Sequence, residues 1–288
     1  MLTRPEEFRI KANGIEHHVL RWLGGDETIV LCHGFLDMAW SFEPLATQLN
    51  AAGLTVIAFD WRGHGTSSWS SEDAYYHFPN YVADLDRLVD KLAIDAPFHL
   101  LGHSMGGTAC VYFAGTRPEK IRSLVLLEGL GPPEFLEESL PKRFASWLDG
   151  TKRVERTEQK ALTNTDEALR RLRFQNPNLS DEFGRQLVAH STRPHPNGQG
   201  LVWSFDPLHR TTSPVPFRRA TFDPFLSNID CPVLLVFGQN GYRLADETER
   251  ARLIGHHEFF EIADAGHMLH RTHPSVVAER ILQWLPRR

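Results

Sequence analysis

The run Phe98-His-Leu-Leu-Gly-His-Ser-Met-Gly-Gly107 decides how the chain is read. Phe98 to Leu101 is short, mostly apolar and followed by glycine, which suits a buried strand. From Met105 to Gly115 small residues dominate and the pattern is helical. Between the two, Gly102-His103-Ser104-Met105-Gly106 matches G-x-S-x-G. A sharp strand-to-helix turn of this kind holds its serine in a strained conformation with the hydroxyl exposed. The flanking glycines let neighbouring backbone pass without a Cβ clash. The competing reading is an ordinary glycine-rich turn, for instance around a phosphate.

Outward from this turn, strand and helix patterns alternate. Glu6 to Leu23 alternates polar and apolar residues around Asn13-Gly14, a pair that tolerates positive φ and signals a hairpin. Thr28 to Cys32 is an apolar strand ending in His33-Gly34, and a helix is expected over 39–52. Leu54 to Phe59 is a second buried strand, ending in Asp60, and Tyr81 to Leu92 has helical spacing. Ile121 to Leu127 is again continuously apolar. Alternation of this kind implies a parallel sheet covered on both faces, with the opening hairpin adding antiparallel strands at one edge.

From Gly131 to Asp223 the rhythm breaks into short helical patterns rich in Pro, Arg, aromatic and acidic residues. It resumes with a strand over 232–237, a helix over 244–253 and a strand over 258–262. A last helix opens on Pro274, with Val277, Ile281, Leu282 and Leu285 on its apolar face. Residues 1–130 and 224–288 are therefore expected to form one core, and 131–223 an insertion into it.

Composition excludes whole classes. The chain has 288 residues, 41% hydrophobic and 23% charged, with a net charge of −5. Disorder and low complexity do not fit these fractions. No apolar run approaches the roughly 20 residues of a membrane helix, so no membrane span is expected. Without a basic patch, nucleic acid is not an expected partner. The N-terminus, Met1-Leu-Thr-Arg-Pro-Glu-Glu7, is polar and lacks a signal-peptide core, which gives the expectation of a cytoplasmic protein. Cys32, Cys110 and Cys231 lie far apart in apolar surroundings, as small buried side chains rather than a disulfide framework or zinc site. A homodimer is left open.

Five motifs recur in one order: His33-Gly-Phe35, Asp60-Trp-Arg-Gly-His-Gly65, Gly102-His-Ser-Met-Gly-Gly107, Glu128-Gly-Leu-Gly-Pro-Pro133 and Ala265-Gly-His267. With them the chain resembles the α/β-hydrolase superfamily over nearly its whole length. The run from His33 through Ser41-Phe42 is similar to its serine-hydrolase-like branch with cap domains. The resemblance implies an α/β-hydrolase fold with a mostly parallel eight-stranded sheet. It also implies a mainly helical cap over 131–223, a Ser-His-acid triad, a two-donor oxyanion hole and no metal or organic cofactor.

A serine hydroxyl needs a base to take its proton. Among fifteen histidines, His267 has the position the resemblance implies, after Ser104 and before the last helix. His270 and His273 are its neighbours and competitors. The spacing of 267, 270 and 273 could suggest a metal, but no carboxylate motif accompanies it and Pro274 interrupts any shared helix. In the family the acid follows the strand 233–237, where this chain has Gly238-Gln-Asn-Gly241 and no carboxylate. Three options stand: Glu128 at the end of strand 121–127, Asp246 in the following helix, or no strict acid. A carboxylate ending a buried strand needs a partner, and an imidazolium would be one. The expected oxyanion donors are the backbone N–H groups of Phe35 and Met105.

Other residues have plainer readings. His33 braces its loop, Asp60, Arg62 and His64 stabilise theirs, and the His103 side chain points away from the serine. Trp40, Trp147 and Trp203 are candidates for substrate contact, as are Phe144, Phe205 and Phe217. His190, His195 and His209 are read as surface or loop residues, and the basic stretch 142–156 as a solvated helix face.

The expected activity is a serine hydrolase cleaving carboxylic esters or related acyl compounds through an acyl-enzyme. The resemblance places Asp at the Ser104 position in haloalkane dehalogenases and epoxide hydrolases, so serine excludes those mechanisms. Carboxylesterase, lipase, thioesterase, carbon–carbon bond hydrolase and cofactor-free perhydrolase remain together. A ligand-binding protein of this fold with weak activity is the alternative from another class.

Overall fold

A computed structural model describes residues 4–95, 97–134, 139–156 and 158–286. The first three residues of the polar N-terminus lie outside the described residues. Ten strands and ten α-helices are assigned among them. The strands are β1 (Glu6–Ala12), β2 (Ile15–Trp22), β3 (Thr28–Cys32), β4 (Thr55–Phe59), β5 (Phe98–His103), β6 (Ile121–Leu127), β7 (Thr192–Pro194), β8 (Leu201–Trp203), β9 (Val233–Asn240) and β10 (His257–Gly266). The helices are α1 (Glu43–Ala51), α2 (Phe78–Lys91), α3 (Met105–Thr116), α4 (Leu140–Arg156), α5 (Thr165–Gln175), α6 (Asp181–Ser191), α7 (Arg219–Ser227), α8 (Glu247–Arg252), α9 (Leu269–Thr272) and α10 (Pro274–Trp284).

Eight strands form one sheet in the order β1-β2-β4-β3-β5-β6-β9-β10. From β4 to β10 neighbours run parallel, and β2 joins β4 antiparallel. The β1–β2 hairpin turns on Asn13 and Gly14, with φ of 49° and 78°, as the two positive-φ positions of a tight hairpin require. β5 lies between β3 and β6, so all six of its residues are buried. Helices cover both faces. Phe42, Leu45 and Leu49 pack with Val277 and Ile281 of α10 on one side. Leu85, Val111, Phe113 and Phe222 of α2, α3 and α7 pack on the other. Pro274 stands in the first turn of α10.

Residues 131–223 lie between β6 and β9 in the chain and carry α4 to α6 and the first half of α7. They also hold a small antiparallel pair, β7–β8, which the sequence reading did not separate from the helical patterns. Each strand has three residues, too short for a period-two pattern to register. The expected helix 39–52 is split: Ala39–Phe42 winds as a 3₁₀ turn, and α1 begins at Glu43 with a proline in its first turn. Lys142, Lys152 and Arg153 on α4 are exposed, as expected for a solvated face. Cys32, Cys110 and Cys231 are buried free thiols. Among the described residues no helix is long and apolar enough to cross a membrane.

Candidate active site

Parallel strands bring their C-terminal ends to one edge of the sheet, where open α/β sheets hold their ligands. Here β3, β5, β6, β9 and β10 end side by side, followed respectively by His33-Gly34-Phe35, Ser104, Glu128, Gly241-Tyr242 and His267.

Ser104 sits between β5 and α3 with φ 51° and ψ −118°. A side chain with positive φ is strained unless its surroundings hold it. Two features hold this one. Its N–H donates to Leu127 O at 3.0 Å. A Cβ at Gly106 would lie 2.2 Å from Cys32 O, so only glycine lets α3 start this close to β3. Ser104 is half-buried, and among the described residues its hydroxyl makes no hydrogen bond. The N–H groups of Met105 and Phe35 likewise have no acceptor among the described residues. Met105 N–H is one of the orphan donors at the start of α3.

His267 follows the irregular end of β10, where the pairing shifts between Ile262 and Gly266 and Asp264 takes φ 59°. Its Nδ1 lies 2.5 Å from Glu128 Oε2. Glu128 also accepts Gly238 N–H at Oε1 (2.9 Å) and Tyr242 N–H at Oε2 (2.8 Å). Backbone N–H groups can only donate, so both carboxylate oxygens are acceptors. His267 Nδ1 is then the donor, and in the neutral imidazole that tautomer has Nε2 as the unprotonated ring nitrogen. The Glu128 carboxylate is fully buried while the His267 side chain is 38% exposed.

The loop without a carboxylate is thereby explained. A Cβ at Gly241 would lie 1.6 Å from Glu128 Oε1. The loop after β9 is shaped to receive a carboxylate from the neighbouring strand. Asp246 lies elsewhere: it precedes α8 and pairs with Arg250 at 3.0 Å and Arg219 at 3.3 Å. Glu128, Asp246 and no strict acid were the three options, and of the two carboxylates only Glu128 contacts His267.

The neighbouring histidines separate as well. His270 is buried and its Nε2 lies 3.4 Å from Asp37 Oδ2. Burial pushes its pKa down to about 4. His273 contacts Thr272. Donor atoms of Asp37, His103 and His270 lie within 4.8 Å of one another, but Asp37 is already paired with the Arg271 guanidinium. Burial alone would raise the Asp37 carboxyl; Arg271 and His270 hold it well below the usual range.

His103 has a role the sequence did not signal. Its Nε2 donates to His267 O at 2.9 Å, and its ring lies 4.8 Å from that of His267, in the lining of the same cavity as Ser104. It therefore fixes the backbone that carries His267. Burial, followed by the His270 and His267 rings, pushes its pKa well down and keeps it neutral. His33 braces its loop as read: Trp61 N–H donates to Nε2 at 3.0 Å, so Nδ1 carries the proton and donates to Gly34 O at 2.8 Å. Asp60 accepts Ala39 and Thr66 N–H, and Arg62 pairs with Asp84 at 2.5 Å.

Ser104, His267 and Phe35 line a cavity of about 860 Å³. Its other walls include Arg170, Arg171 and Phe174 of α5, Leu187 of α6, Trp203 of β8, and Phe205 and Arg210. Residues 131–223 thus close over the serine. Of the three tryptophans expected to touch substrate, Trp203 lines this cavity, whereas Trp40 and Trp147 are not among its lining residues. Trp40 stacks on His190 with ring centroids 4.2 Å apart and faces a different cavity. Trp147 packs edge-on against Tyr75 at 4.9 Å and beside Phe144 at 5.9 Å. Phe217 packs on Phe222 at 5.2 Å. Flat aromatic faces bury well against one another, and sequence spacing cannot distinguish such packing from a cavity wall. His195 and His209, read as surface or loop residues, are buried; His209 lies against His64, with centroids 4.0 Å apart.

Known proteins share this architecture. The chain is similar to a thioesterase domain from the curacin biosynthetic pathway, at 28% identity and a TM-score of 0.85, over 97% of this chain and 100% of that one. It is similar to a hypothetical protein of Pseudomonas aeruginosa, at 28% identity and a TM-score of 0.86, over 98% of this chain and 100% of that one. Human serine hydrolase-like protein 2 is 29% identical over 89% of this chain and 86% of its own length. A serine hydrolase-like protein of Danio rerio is 30% identical over 67% of this chain, which spans 60% of that relative. Epoxide hydrolase 2 of Siraitia grosvenorii is 34% identical over 44% of this chain and 39% of its own length. The family model for the alpha/beta hydrolase fold matches residues 27–274, from before β3 to the first residue of α10. A match that takes in every strand end of the site means that this chain belongs to the α/β-hydrolase family.

Proposed function

We propose that the protein is a serine hydrolase that cleaves carboxylic esters or related acyl compounds, with residues 131–223 as its cap. The observation that carries this reading is the 2.5 Å contact between Glu128 and His267 Nδ1, which leaves Nε2 free to act as a base in the cavity that holds Ser104. His267 Nε2 takes the Ser104 proton as Oγ attacks the acyl carbonyl carbon. The carbonyl oxygen becomes an oxyanion held by the Phe35 and Met105 N–H groups, while Glu128 stabilises the imidazolium. The tetrahedral adduct collapses, the bond to the leaving group breaks, and His267 gives it the proton. Water then attacks the acyl-serine by the same route and releases the acid.

Relatives named as epoxide hydrolases share less than half of this chain, and Ser104 occupies the turn that carries the reacting group. The absence of a carboxylate after β9 would favour a ligand-binding protein with weak activity, but that loop holds the Glu128 carboxylate. Labelling with a fluorophosphonate tests the reading, followed by p-nitrophenyl esters of increasing acyl length. Modification at Ser104 and ester turnover are expected. A protein that neither labels nor turns over esters would remove the hydrolase reading.

A further inference from the structure

The whole chain is acidic, with a net charge of −5, yet the cavity over Ser104 is lined by Arg170, Arg171, Arg210 and Arg271 against Asp37 and Glu167. Two of these arginines answer the two carboxylates. Arg271 pairs with Asp37, whose other oxygen accepts the Ser41 hydroxyl at 2.9 Å. Arg171 pairs with Glu167 at 2.5 Å, and Glu167 also accepts Thr163 N–H at 2.7 Å. Arg170 and Arg210 have no carboxylate partner among the described residues. Arg210 is placed by an aromatic face: its guanidinium lies 4.9 Å over the Phe205 ring, itself a cavity wall. Stacking of this kind orients the planar group and leaves its in-plane N–H donors available to an oxyanion. Beside them Phe174 is 89% exposed, an apolar surface on the same wall.

Two unmatched guanidiniums on a cavity rim focus an anion toward the site, and an arginine fork fits a carboxylate or phosphate. We propose that the substrate carries such an oxyanion, bound by Arg170 and Arg210 while its acyl carbonyl sits at Ser104. This inference rests on the hydrolytic reading above and names its substrate class: anionic acyl compounds.

The test compares matched pairs. Mono-p-nitrophenyl adipate against p-nitrophenyl hexanoate places the charge on the acyl side. Hexanoyl-coenzyme A against the N-acetylcysteamine thioester of hexanoate places it on the leaving group. The expected result is a preference of about tenfold or more in kcat/KM for the anionic member of one pair, and the pair that shows it identifies the side. The doubly substituted R170Q/R210Q protein should lose most of that ratio. Added salt should erode it as well, since the screening length falls from about 10 Å at 0.1 M to about 3 Å at 1 M. Equal rates within both pairs, or a ratio unchanged in the variant, would overturn the inference. Binding separates it from the hydrolytic reading: adipate and coenzyme A are titrated into Ser104→Ala by calorimetry. Binding of one of them that is lost with R170Q/R210Q upholds the anion site even if no ester is cleaved. Ester cleavage with neither probe bound sinks the anion site alone.

Discussion

The strand ends of the core and the wall supplied by residues 131–223 face each other across one cavity, yet they are built differently. On the core side the Glu128 carboxylate is buried and the positions of the site residues are fixed chiefly through backbone groups. Glu128 is held by Gly238 and Tyr242 N–H, His267 by the bond from His103, and Ser104 by its N–H to Leu127. On the opposite wall the charged ends of Arg170 and Arg210 and the ring of Phe174 are exposed. On the proposed mechanism, the difference follows from what each side does. Proton transfer tolerates little error in position, so its groups are over-determined by fixed donors. Under the proposed function, recognition of a substrate's remote parts tolerates more, and side chains there can change without disturbing the geometry of Ser104, His267 and Glu128.

The largest blow to the core side is Ser104→Ala. It should lower kcat/KM for any ester substrate at least about 10³-fold, and an unchanged rate would remove Ser104 as nucleophile. Next comes the contrast between two carboxylates. Glu128→Gln should cost about 10²-fold or more, because an amide oriented for two N–H donors cannot also accept both at its nitrogen and balance the imidazolium. Asp246→Asn should leave turnover within about threefold, since its partners are Arg219 and Arg250; a reversed order would reassign the acid.

A smaller effect isolates the cradle itself. Gly241→Ala would press a methyl onto the carboxylate, so turnover should fall by about tenfold or more. Gly255 has open space where a Cβ would stand, and Gly255→Ala should match wild type. Equal behaviour of the two alanine variants would show that the loop does not constrain Glu128.

Buried histidines of the fold give a pH dependence. Burial pushes His209 down to about 3 and His270 to about 4, and His64 well below its ordinary value, where His209 and His33 add to the effect. The unfolded chain binds protons at these rings near pH 6.5, while the folded chain resists them. Stability is therefore full above about pH 6.5 and falls as the pH drops toward 4, by about 1.4 kcal/mol for each unit of depression. Thermal melts from pH 7 to 4 should show a steadily falling midpoint, and a flat profile would contradict the buried, neutral rings. The mildest pair compares aromatics: Trp203→Ala should raise KM severalfold, whereas Trp147→Ala, packed on Tyr75, should leave it within about twofold.

The legible parts of the sequence were those with a local physical signature. Val30 and Leu100 belong to continuous apolar runs because their strands are covered on both faces. Asn13-Gly14 announced its hairpin because few residues adopt positive φ cheaply. Gly102 to Gly106 announced the turn at Ser104 because a crowded backbone admits only glycine there. Trp40, Trp147 and Trp203 could not be separated in the same way, because which face of a ring meets a cavity depends on partners distant in the chain.

By itself the sequence determined the alternation of strands and helices and the turn at Ser104. These follow from periodicity and from the steric demands of single positions, which short stretches of chain already contain. Only the tertiary structure decided that Glu128 rather than Asp246 meets His267, that a loop lacking any acid grips the Glu128 carboxylate through Gly238 and Tyr242, and that Arg170 and Arg210 look into the cavity without carboxylate partners. Each of those is a juxtaposition of segments far apart in sequence, and sheet order and the path of residues 131–223 set it rather than any local preference.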